Sequence, residues 1–309
     1  MLAGLALLGD LQYLAMTTSS QPRTETWSIR RLVVWATDDF RNRGFDSPRL
    51  DAELLLGHAL GKTRIEIILD GDRPLDKSEL DRFRELVKRR RTGEPTAYLL
   101  GTREFYGTAF EVDSNVLIPR PDTETLVEVA LERTKDRGEP GLAVDLCTGS
   151  GCVAIAFALA RGEWAVHGVD LSPTAIEVAR RNAERAKLTT GIEFRVSDLF
   201  ASLPDGLRFD LITANPPYIP TDVIPTLDLG IRGFEPHLAL DGGVDGLTLT
   251  RRLIAEAPRW LEPGGVLAFE IGYDQGPAAL ELMTAAGFVE LRVNRDYGGM
   301  DRVVSGHLP

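Results

Sequence analysis

The chain has 309 residues, a formal net charge of −11 and two cysteines. This length suffices for one large domain or two of unequal size, and we expect two. The acidic balance argues against a protein that holds nucleic acid mainly through a phosphate-binding surface, because such surfaces cluster Lys and Arg. The one dense basic run, at 88–91, is typical of the solvated last turn of a helix. Two cysteines close in sequence, Cys147 and Cys152, form no disulfide framework, which favours a reducing cytoplasm.

The N-terminal segment is apolar but is not typical of a secretory signal. Residues 1–16 lack a basic start, and Asp10 interrupts the apolar run. Met16 is an alternative start, so we expect residues 1–26 to be a disordered or alternative-start segment. No apolar run elsewhere approaches the roughly 18 residues that a membrane-spanning helix needs. The sequence predicts a soluble, cytoplasmic protein.

The next part of the chain predicts a small all-helical domain over residues 27–92. Apolar residues recur at three- and four-residue steps over 28–44 and 46–61, and a further helix is predicted over 77–88. Residues 93–118 are rich in Gly, Pro and aromatic side chains, which indicates a hairpin linker between two domains.

Residues 119–309 show strands alternating with helices. This alternation is typical of an α/β domain with a mostly parallel sheet covered on both faces. The last two strand candidates are joined by a short turn, so we expect an antiparallel pair that completes a seven-stranded sheet. The apolar strand candidates are 142–146, 165–169, 192–196, 210–214, 266–271, 288–293 and 302–305.

Ligands bind such sheets beyond the carboxyl ends of the strands, so the residues there are candidates for a site. The first strand runs into a turn with Gly149 and Gly151 and then into a helix. Glycines let a ligand approach the backbone, and a helix start offers free amides. The same turn also joins many strands to helices without any ligand. It is not a complete dinucleotide fingerprint, because Cys147 stands at the first glycine position, and it is not a phosphate loop, because no Lys follows.

The next two strand ends favour a nucleoside cofactor. Asp170 follows the second strand, where a carboxylate can accept hydrogen bonds from both ribose hydroxyls. The alternative role for Asp170 is a helix N-cap, which Ser172 could fill instead. Asp198 and Leu199 follow the third strand, near where an adenine edge and face would lie.

The fourth strand ends in Asn215, Pro216, Pro217 and Tyr218. Two prolines fix the backbone and remove two amide donors, so nearby oxygens are left to accept hydrogen bonds from a ligand. The Asn215 side-chain oxygen and the Pro216 main-chain oxygen could each accept one hydrogen of a planar NH2 group, while Tyr218 packs on its face. A rigid turn is the alternative, but a turn needs neither the Asn nor the Tyr.

Seven segments in this order closely resemble the HemK/PrmC family, within the class I S-adenosylmethionine-dependent methyltransferases that carry an Asn/Asp-Pro-Pro-Tyr signature. The resemblance covers residues 27–306. It implies a Rossmann-like, seven-stranded fold behind a small helical domain. The matching segments are 94–107, 117–128, 145–156, 215–220, 234–247, 261–275 and 295–306.

The resemblance also implies an activity and a partner. Members of this family transfer a methyl group from S-adenosyl-L-methionine, leaving S-adenosyl-L-homocysteine. The acceptor is the side-chain amide nitrogen of the glutamine in the Gly-Gly-Gln motif of class-1 peptide-chain release factors, and the modification modulates translation termination. The N-terminal helical domain is then the release-factor docking domain. We expect a monomer that binds neither nucleic acid nor a membrane directly.

Site residues follow from the same resemblance. Glu124 is expected near the methionine end of the cofactor, and no metal ligand is expected. Asp122 stands where Glu is common and Cys147 where Gly is common, which bears on cofactor affinity rather than on reaction type. Expected cofactor-binding residues are Thr123, Asp145, Cys147, Thr148, Gly149, Ser150, Gly151, Asp170, Asp198, Leu199 and Asn215. Expected substrate-binding residues are Asn215, Pro216, Pro217 and Tyr218, of which Asn215, Pro216 and Tyr218 are the catalytic ones.

Other classes of protein are less compatible with these residues. A DNA or RNA adenine or cytosine amino-methyltransferase can carry the same signature, but the acidic charge and the lack of a basic target-recognition domain argue against it. A binding protein that had lost catalysis would be expected to lose Asn215 or Tyr218, and both are present. A dehydrogenase does not explain the proline pair.

Overall fold

The computed structural model describes residues 26–188 and 190–309. The predicted disordered or alternative-start segment therefore lies outside the described residues, apart from residue 26. The chain divides after Lys88 into two compact units. Within the described ranges, none of the helices combines the length and the apolar character that crossing a membrane requires.

The first unit is helical. Helix α1 spans Ile29–Asn42, α2 spans Pro48–Leu60, α3 spans Arg64–Leu69 and α4 spans Lys77–Arg91, so the last three residues of α4 belong to the second unit. The three predicted helices are confirmed, whereas α3 was not predicted. The Ser28 side chain caps α1 by accepting a hydrogen bond from the Arg31 amide, and one apolar stripe of α1 is buried.

The second unit begins with short elements. Helix α5 spans Thr96–Leu100, and strands β1 (Thr102–Phe105) and β2 (Thr108–Glu111) pair as an antiparallel hairpin. The predicted hairpin is confirmed, and α5 is an addition to it. A single 3-10 turn, Pro121–Thr123, then leads into helix α6, Glu124–Arg133.

Seven strands form the main sheet of the second unit, in the order β5-β4-β3-β6-β7-β9-β8. The pairs among β5, β4, β3, β6 and β7 are parallel, and β9 lies antiparallel between β7 and β8. The predicted α/β class, the seven-stranded sheet and its antiparallel final pair are confirmed. The strands are β3 Leu142–Leu146, β4 Ala165–Asp170, β5 Ile192–Val196, β6 Phe209–Ala214, β7 Leu261–Glu270, β8 Val289–Arg295 and β9 Asp301–His307.

The start of β7 differs from the prediction. The strand begins at Leu261 rather than at 266, because Leu261 pairs with Phe209 before the register shifts. This irregular stretch contains Pro263 and two glycines, and such a sequence is more typical of a turn than of a strand.

Helices cover both faces of the sheet, which explains why its central strands are continuous apolar runs. One buried core contains α6, α7 (Cys152–Ala160) and α8 (Pro173–Arg185). The other contains residues of α10 (Thr248–Glu256) and α11 (Gly276–Ala285), while a short helix α9 spans Leu229–Arg232. The apolar run at 152–160 forms α7, and most of its side chains are buried. Because β3, β4, β5 and β6 are parallel, their carboxyl ends lie at the same edge of the sheet.

Candidate active site

A cavity of about 510 Å³ lies at the carboxyl ends of the parallel strands, within the second unit. Its volume is in the usual range for a small-molecule site. Residues that follow β3, β4, β5 and β6 line it, as the strand ends predicted. Four of the expected site residues, Glu124, Gly151, Pro216 and Tyr218, do not line this cavity, whereas the other expected residues do.

The turn after β3 has left-handed backbone at three positions. The φ angles are +55° at Cys147, +54° at Gly149 and +80° at Gly151. A Cβ at Gly151 would lie 3.1 Å from both Ala179 and Ile155, so this glycine lets the helices pack closely. Cys147 adopts the same backbone with a side chain, which costs about 1–2 kcal/mol relative to an ordinary conformation.

Asp145 stabilises this turn through hydrogen bonds. Its carboxylate accepts hydrogen bonds from the Thr148 hydroxyl at 2.6 Å and from the Thr213 hydroxyl at 2.8 Å. The side chain is 2% exposed, and burial raises the pKa of Asp145 to about 6 despite these bonds. Asp145 therefore joins the turn to β6 through both of its oxygens.

Asp170 connects the first two strand ends. One of its oxygens accepts from the Gly149 amide and the other from the Ser172 amide, each at 2.9 Å. Burial raises the pKa of Asp170 although these amides oppose the shift. Ser172 is the N-cap of α8 and accepts from the Ala175 amide, so the helix-cap role belongs to Ser172. Each carboxylate oxygen of Asp170 keeps a further lone pair for a ligand in the cavity.

The third strand end supplies one polar and one apolar side chain. Asp198 forms an ion pair with Arg252 of α10 at 3.1 Å, and about half of each side chain is exposed. Leu199 is buried and has a φ of +47°. Leu199 therefore offers an apolar wall in a backbone conformation that side chains rarely adopt.

The segment after β6 is held at both of its ends. The Asn215 side-chain nitrogen donates to the Thr123 hydroxyl at 3.3 Å. The Tyr218 hydroxyl donates to Oε1 of Glu270 at 3.2 Å, and the Tyr218 carbonyl accepts from the Gln275 side chain at 3.0 Å. Burial, followed by the charge of Glu270, raises the pKa of Tyr218, so the phenol stays protonated. Glu124, expected near the cofactor, accepts a hydrogen bond from the Tyr106 amide at 2.8 Å and so contacts the hairpin.

Two loops complete the cavity, and the residues with which they line it were not among the expected site residues. Glu235 connects them, since its buried carboxylate accepts from the Ile118 amide at 3.2 Å and pairs with Arg120 at 2.5 Å. A signal was present for most of these residues, because 117–120 and 236–243 belong to segments that resemble the family. The lining residues they contribute are Ser114, Asn115, Val116, Leu117, Pro119, Arg120, Pro236, Leu238, Ala239, Asp241 and Gly243.

Metal-type residues do not converge in this part of the molecule. Across residues 26–188 and 190–309, no group of three or more His, Cys, Asp or Glu side chains is placed to hold a metal ion.

Burial raises the pKa of the Cys147 thiol well above its usual range and that of Cys152 to about 12, so both are protonated thiols near neutral pH.

Comparisons with known proteins agree with this architecture. Residues 31–101 match the family model of the PrmC N-terminal domain, and residues 141–285 match the model of a methyltransferase domain. Among solved structures, the catalytic domain of hMettl16 has a TM-score of 0.53 over 72% of this chain and 81% of that chain. Its sequence identity of 15% indicates a shared fold alone.

Curated relatives are much more similar. The release factor glutamine methyltransferase of Geobacter sulfurreducens is 43% identical over 288 residues, which are 93% of this chain and 99% of that protein. That of Vibrio cholerae is 43% identical over 279 residues, which are 90% of this chain and 96% of that protein. The chain therefore belongs to the release factor glutamine methyltransferase family.

Proposed function

We propose that this protein transfers the methyl group of S-adenosyl-L-methionine to the side-chain amide nitrogen of the glutamine in the Gly-Gly-Gln motif of class-1 peptide-chain release factors. One observation carries the proposal. Asn215 lines the cavity, and its nitrogen is engaged by Thr123. Its side-chain oxygen is thereby left to accept a hydrogen bond from a planar NH2 group.

The residues that line the cavity fit S-adenosyl-L-methionine. The Gly149 position is open, because a Cβ there would meet only the Cys147 carbonyl oxygen, at 4.0 Å, so a ligand can approach this backbone closely. Asp170 would accept hydrogen bonds from the ribose hydroxyls, and Leu199 would pack on the adenine. Thr123 and the turn from Cys147 to Ser150 would face the rest of the molecule. When bound, the cofactor supplies a strongly electrophilic methyl group.

The chain's own residues hold the acceptor nitrogen. An amide nitrogen is a poor nucleophile because its lone pair is delocalised into the carbonyl group. Asn215 Oδ1 would accept one amide hydrogen, and the carbonyl oxygen of Pro216, which adjoins the cavity-lining residues Asn215 and Pro217, would accept the other. These two bonds would fix the nitrogen and direct its lone pair. Orientation of this kind contributes roughly 7–11 kcal/mol to lowering a barrier. The hydrogen bond from Tyr218 to Glu270 would fix the Tyr218 ring, which would pack against the glutamine amide.

The rest of the assignment concerns partners and organisation. Residues 27–92 would dock the release factor, 93–118 would link the domains and 119–309 would carry the reaction. The protein would act as a monomer. The acidic net charge argues against direct binding of nucleic acid. The enzyme would act in the cytoplasm, where class-1 release factors work.

Methyl transfer from labelled S-adenosyl-L-methionine tests the proposal. Purified protein would be incubated with a class-1 release factor, with the same factor carrying Ala in place of the Gly-Gly-Gln glutamine, and with duplex DNA. We expect label in the first sample alone. Label in the DNA and none in the release factor would refute the proposal in favour of a nucleic-acid amino-methyltransferase.

A further inference from the structure

A turn over residues 241–247 carries the most exposed large apolar side chain in the part of the chain that the structure describes. This side chain belongs to Val244, which is 92% exposed. Single apolar side chains are common on protein surfaces and need no explanation by themselves. The surroundings of Val244 are different, because hydrogen bonds and close packing fix this turn against the segment after β6.

Backbone and side-chain hydrogen bonds fasten the turn to the residues that follow that segment. The Gly242 amide donates to the Ile219 carbonyl at 2.8 Å. The Thr221 amide donates to the Gly243 carbonyl at 3.0 Å. The Asp241 carboxylate accepts from the Thr221 hydroxyl at 2.6 Å and from the Gly243 amide at 2.9 Å. The turn is therefore held at a defined position.

Two glycines let the turn lie directly on the segment after β6. A Cβ at Gly242 would lie 2.8 Å from the Pro217 carbonyl oxygen. A Cβ at Gly246 would collide with the Tyr218 carbonyl oxygen. Neither position accepts a side chain while the turn keeps this place. Val244 lies between these glycines, so the packing that fixes the turn leaves its side chain in solvent.

The loops on either side contribute further exposed apolar side chains. Leu238, which precedes the turn, is 53% exposed and lines the cavity. Val223, which follows the residues bonded to the turn, is 39% exposed. Gly243 of the turn also lines the cavity, as does Pro217 beneath it. An exposed apolar surface therefore adjoins the end of the cavity where Pro217 lies.

The acceptor protein is the ligand that would reach this surface. Val244 does not line the cavity, so a cofactor inside the cavity would leave it exposed. The acceptor glutamine would enter the cavity at Asn215 and Pro217, and the polypeptide segment that carries it would have to pass over the adjoining surface.

The charges in the turn favour an apolar contact. Asp245, next to Val244, forms an ion pair with Arg251 at 2.5 Å. Asp241 is engaged by the hydrogen bonds given above. Because both carboxylates have partners within the protein, a charged group of the acceptor protein would lose water at Val244 without gaining a free counter-charge. An apolar side chain would gain from being buried there.

We propose that Val244, together with Leu238 and Val223, is a docking surface for an apolar side chain of the release factor, on the segment that carries the acceptor glutamine. This inference rests on the proposed function. It assigns to Val244 a role in binding the protein substrate. Binding of S-adenosyl-L-methionine and the methyl transfer itself should not depend on Val244.

The test uses the full-length protein with a class-1 release factor and compares Val244→Glu with Val244→Ile. We expect Val244→Glu to raise the KM for the release factor by at least about tenfold, with kcat and the cofactor Kd within about threefold of wild type. Val244→Ile keeps an apolar side chain, and its KM should stay within about twofold. Val244→Ala should raise the KM at least about threefold without introducing a charge.

Val289→Glu is the matched control for the added charge. Val289 is 44% exposed and pairs with His307 at the opposite edge of the sheet from the cavity. The KM for the release factor should stay within about twofold of wild type in this variant.

A double-mutant cycle would identify the partner side chain. Apolar residues of the release factor on either side of the Gly-Gly-Gln motif would be replaced by Ala one at a time, and each protein would be assayed with wild type and with Val244→Ala. We expect one replacement to raise the KM for wild type and to have a smaller effect on Val244→Ala.

Three results would overturn the inference. They are a wild-type KM in Val244→Glu, a cofactor Kd that rises together with the KM, and additive effects for every replaced residue of the release factor. A wild-type protein that leaves the release factor unmethylated would instead refute the proposed function.

Discussion

The Asn215 side-chain nitrogen donates to the Thr123 hydroxyl at 3.3 Å, across a separation of 92 residues in sequence. Asn215 directly follows β6, and Thr123 ends the 3-10 turn that precedes α6. This bond determines which end of the Asn215 amide remains for a ligand. The direction of one side chain is therefore set by a residue that lies outside the Asn-Pro-Pro-Tyr segment.

Asn215→Ala should remove most of the turnover and leave cofactor binding nearly intact. The contact with the acceptor nitrogen matters mainly in the transition state, so kcat should fall by about 100-fold or more. Methylation kinetics with a release factor, together with calorimetric binding of S-adenosyl-L-methionine, would measure both effects. Asn215→Asp keeps the acceptor oxygen and should retain more activity than the Ala variant. Turnover of Asn215→Ala within about threefold of wild type, or roughly 0.6 kcal/mol, would show that the assigned role is wrong.

Cys147→Gly should be more stable than Cys147→Ala. Both variants remove the thiol, but only Gly relieves the side chain from the left-handed backbone at φ +55°. The difference in the free energy of unfolding should be about 1 kcal/mol in favour of Gly, as measured by urea denaturation. If the Ala variant were equally stable, the backbone of Cys147 would carry no strain.

Gly168→Ala should destabilise the second unit. A Cβ at this position in β4 would lie 2.4 Å from two ring carbons of Phe194 and 3.1 Å from the Thr148 hydroxyl oxygen. Relieving these contacts should cost about 1–3 kcal/mol in the free energy of unfolding. Gly162→Ala is the matched control, because a Cβ there has no atom within 4 Å. Equal denaturation curves for the two variants would contradict the packing described for β4.

The carboxyl group of Asp145 should make stability fall as pH rises. In the folded state it keeps its proton up to about pH 6, whereas the ordinary pKa is 3.8. Between these values the folded state binds more protons than the unfolded chain, so stabilisation present at low pH is lost as pH rises through about 6.

Comparison with Asp145→Asn isolates this effect. Between pH 4.5 and pH 7, the free energy of unfolding of wild type should fall by about 2 kcal/mol more than that of the variant. Urea denaturation at both values measures the difference. A parallel pH dependence of the two proteins would show that the Asp145 carboxyl ionises at its ordinary pKa in the folded state.

Hydrophobic runs made most of the fold predictable. The seven strands lie within or close to the expected ranges, because a sheet covered on both faces requires continuous apolar segments. Helix α3 was missed because it has six residues and three of its apolar side chains, Ile65, Ile68 and Leu69, are exposed. A signal was available, since Thr63 and Glu66 form a capping box at its start.

The cavity was less predictable than the sheet. Strand ends such as Asp170 and Asn215 could be found because topology places them at one edge of the sheet. The loops around Ile118 and Pro236 have no periodicity, and Glu235 brings them together only through tertiary contacts. Glu270 ends an apolar strand, where its sequence neighbours give no indication of its partner Tyr218. Long-range hydrogen bonds of this kind become visible only in three dimensions.

The central claim is that the glutamine of a release factor receives the methyl group. Mass spectrometry of the intact class-1 release factor and of its peptides, after incubation with this protein and S-adenosyl-L-methionine, tests it most directly. We expect one added methyl group, located on the side chain of the Gly-Gly-Gln glutamine. A release factor that remains unmodified, or one that is methylated at another residue, would contradict the account.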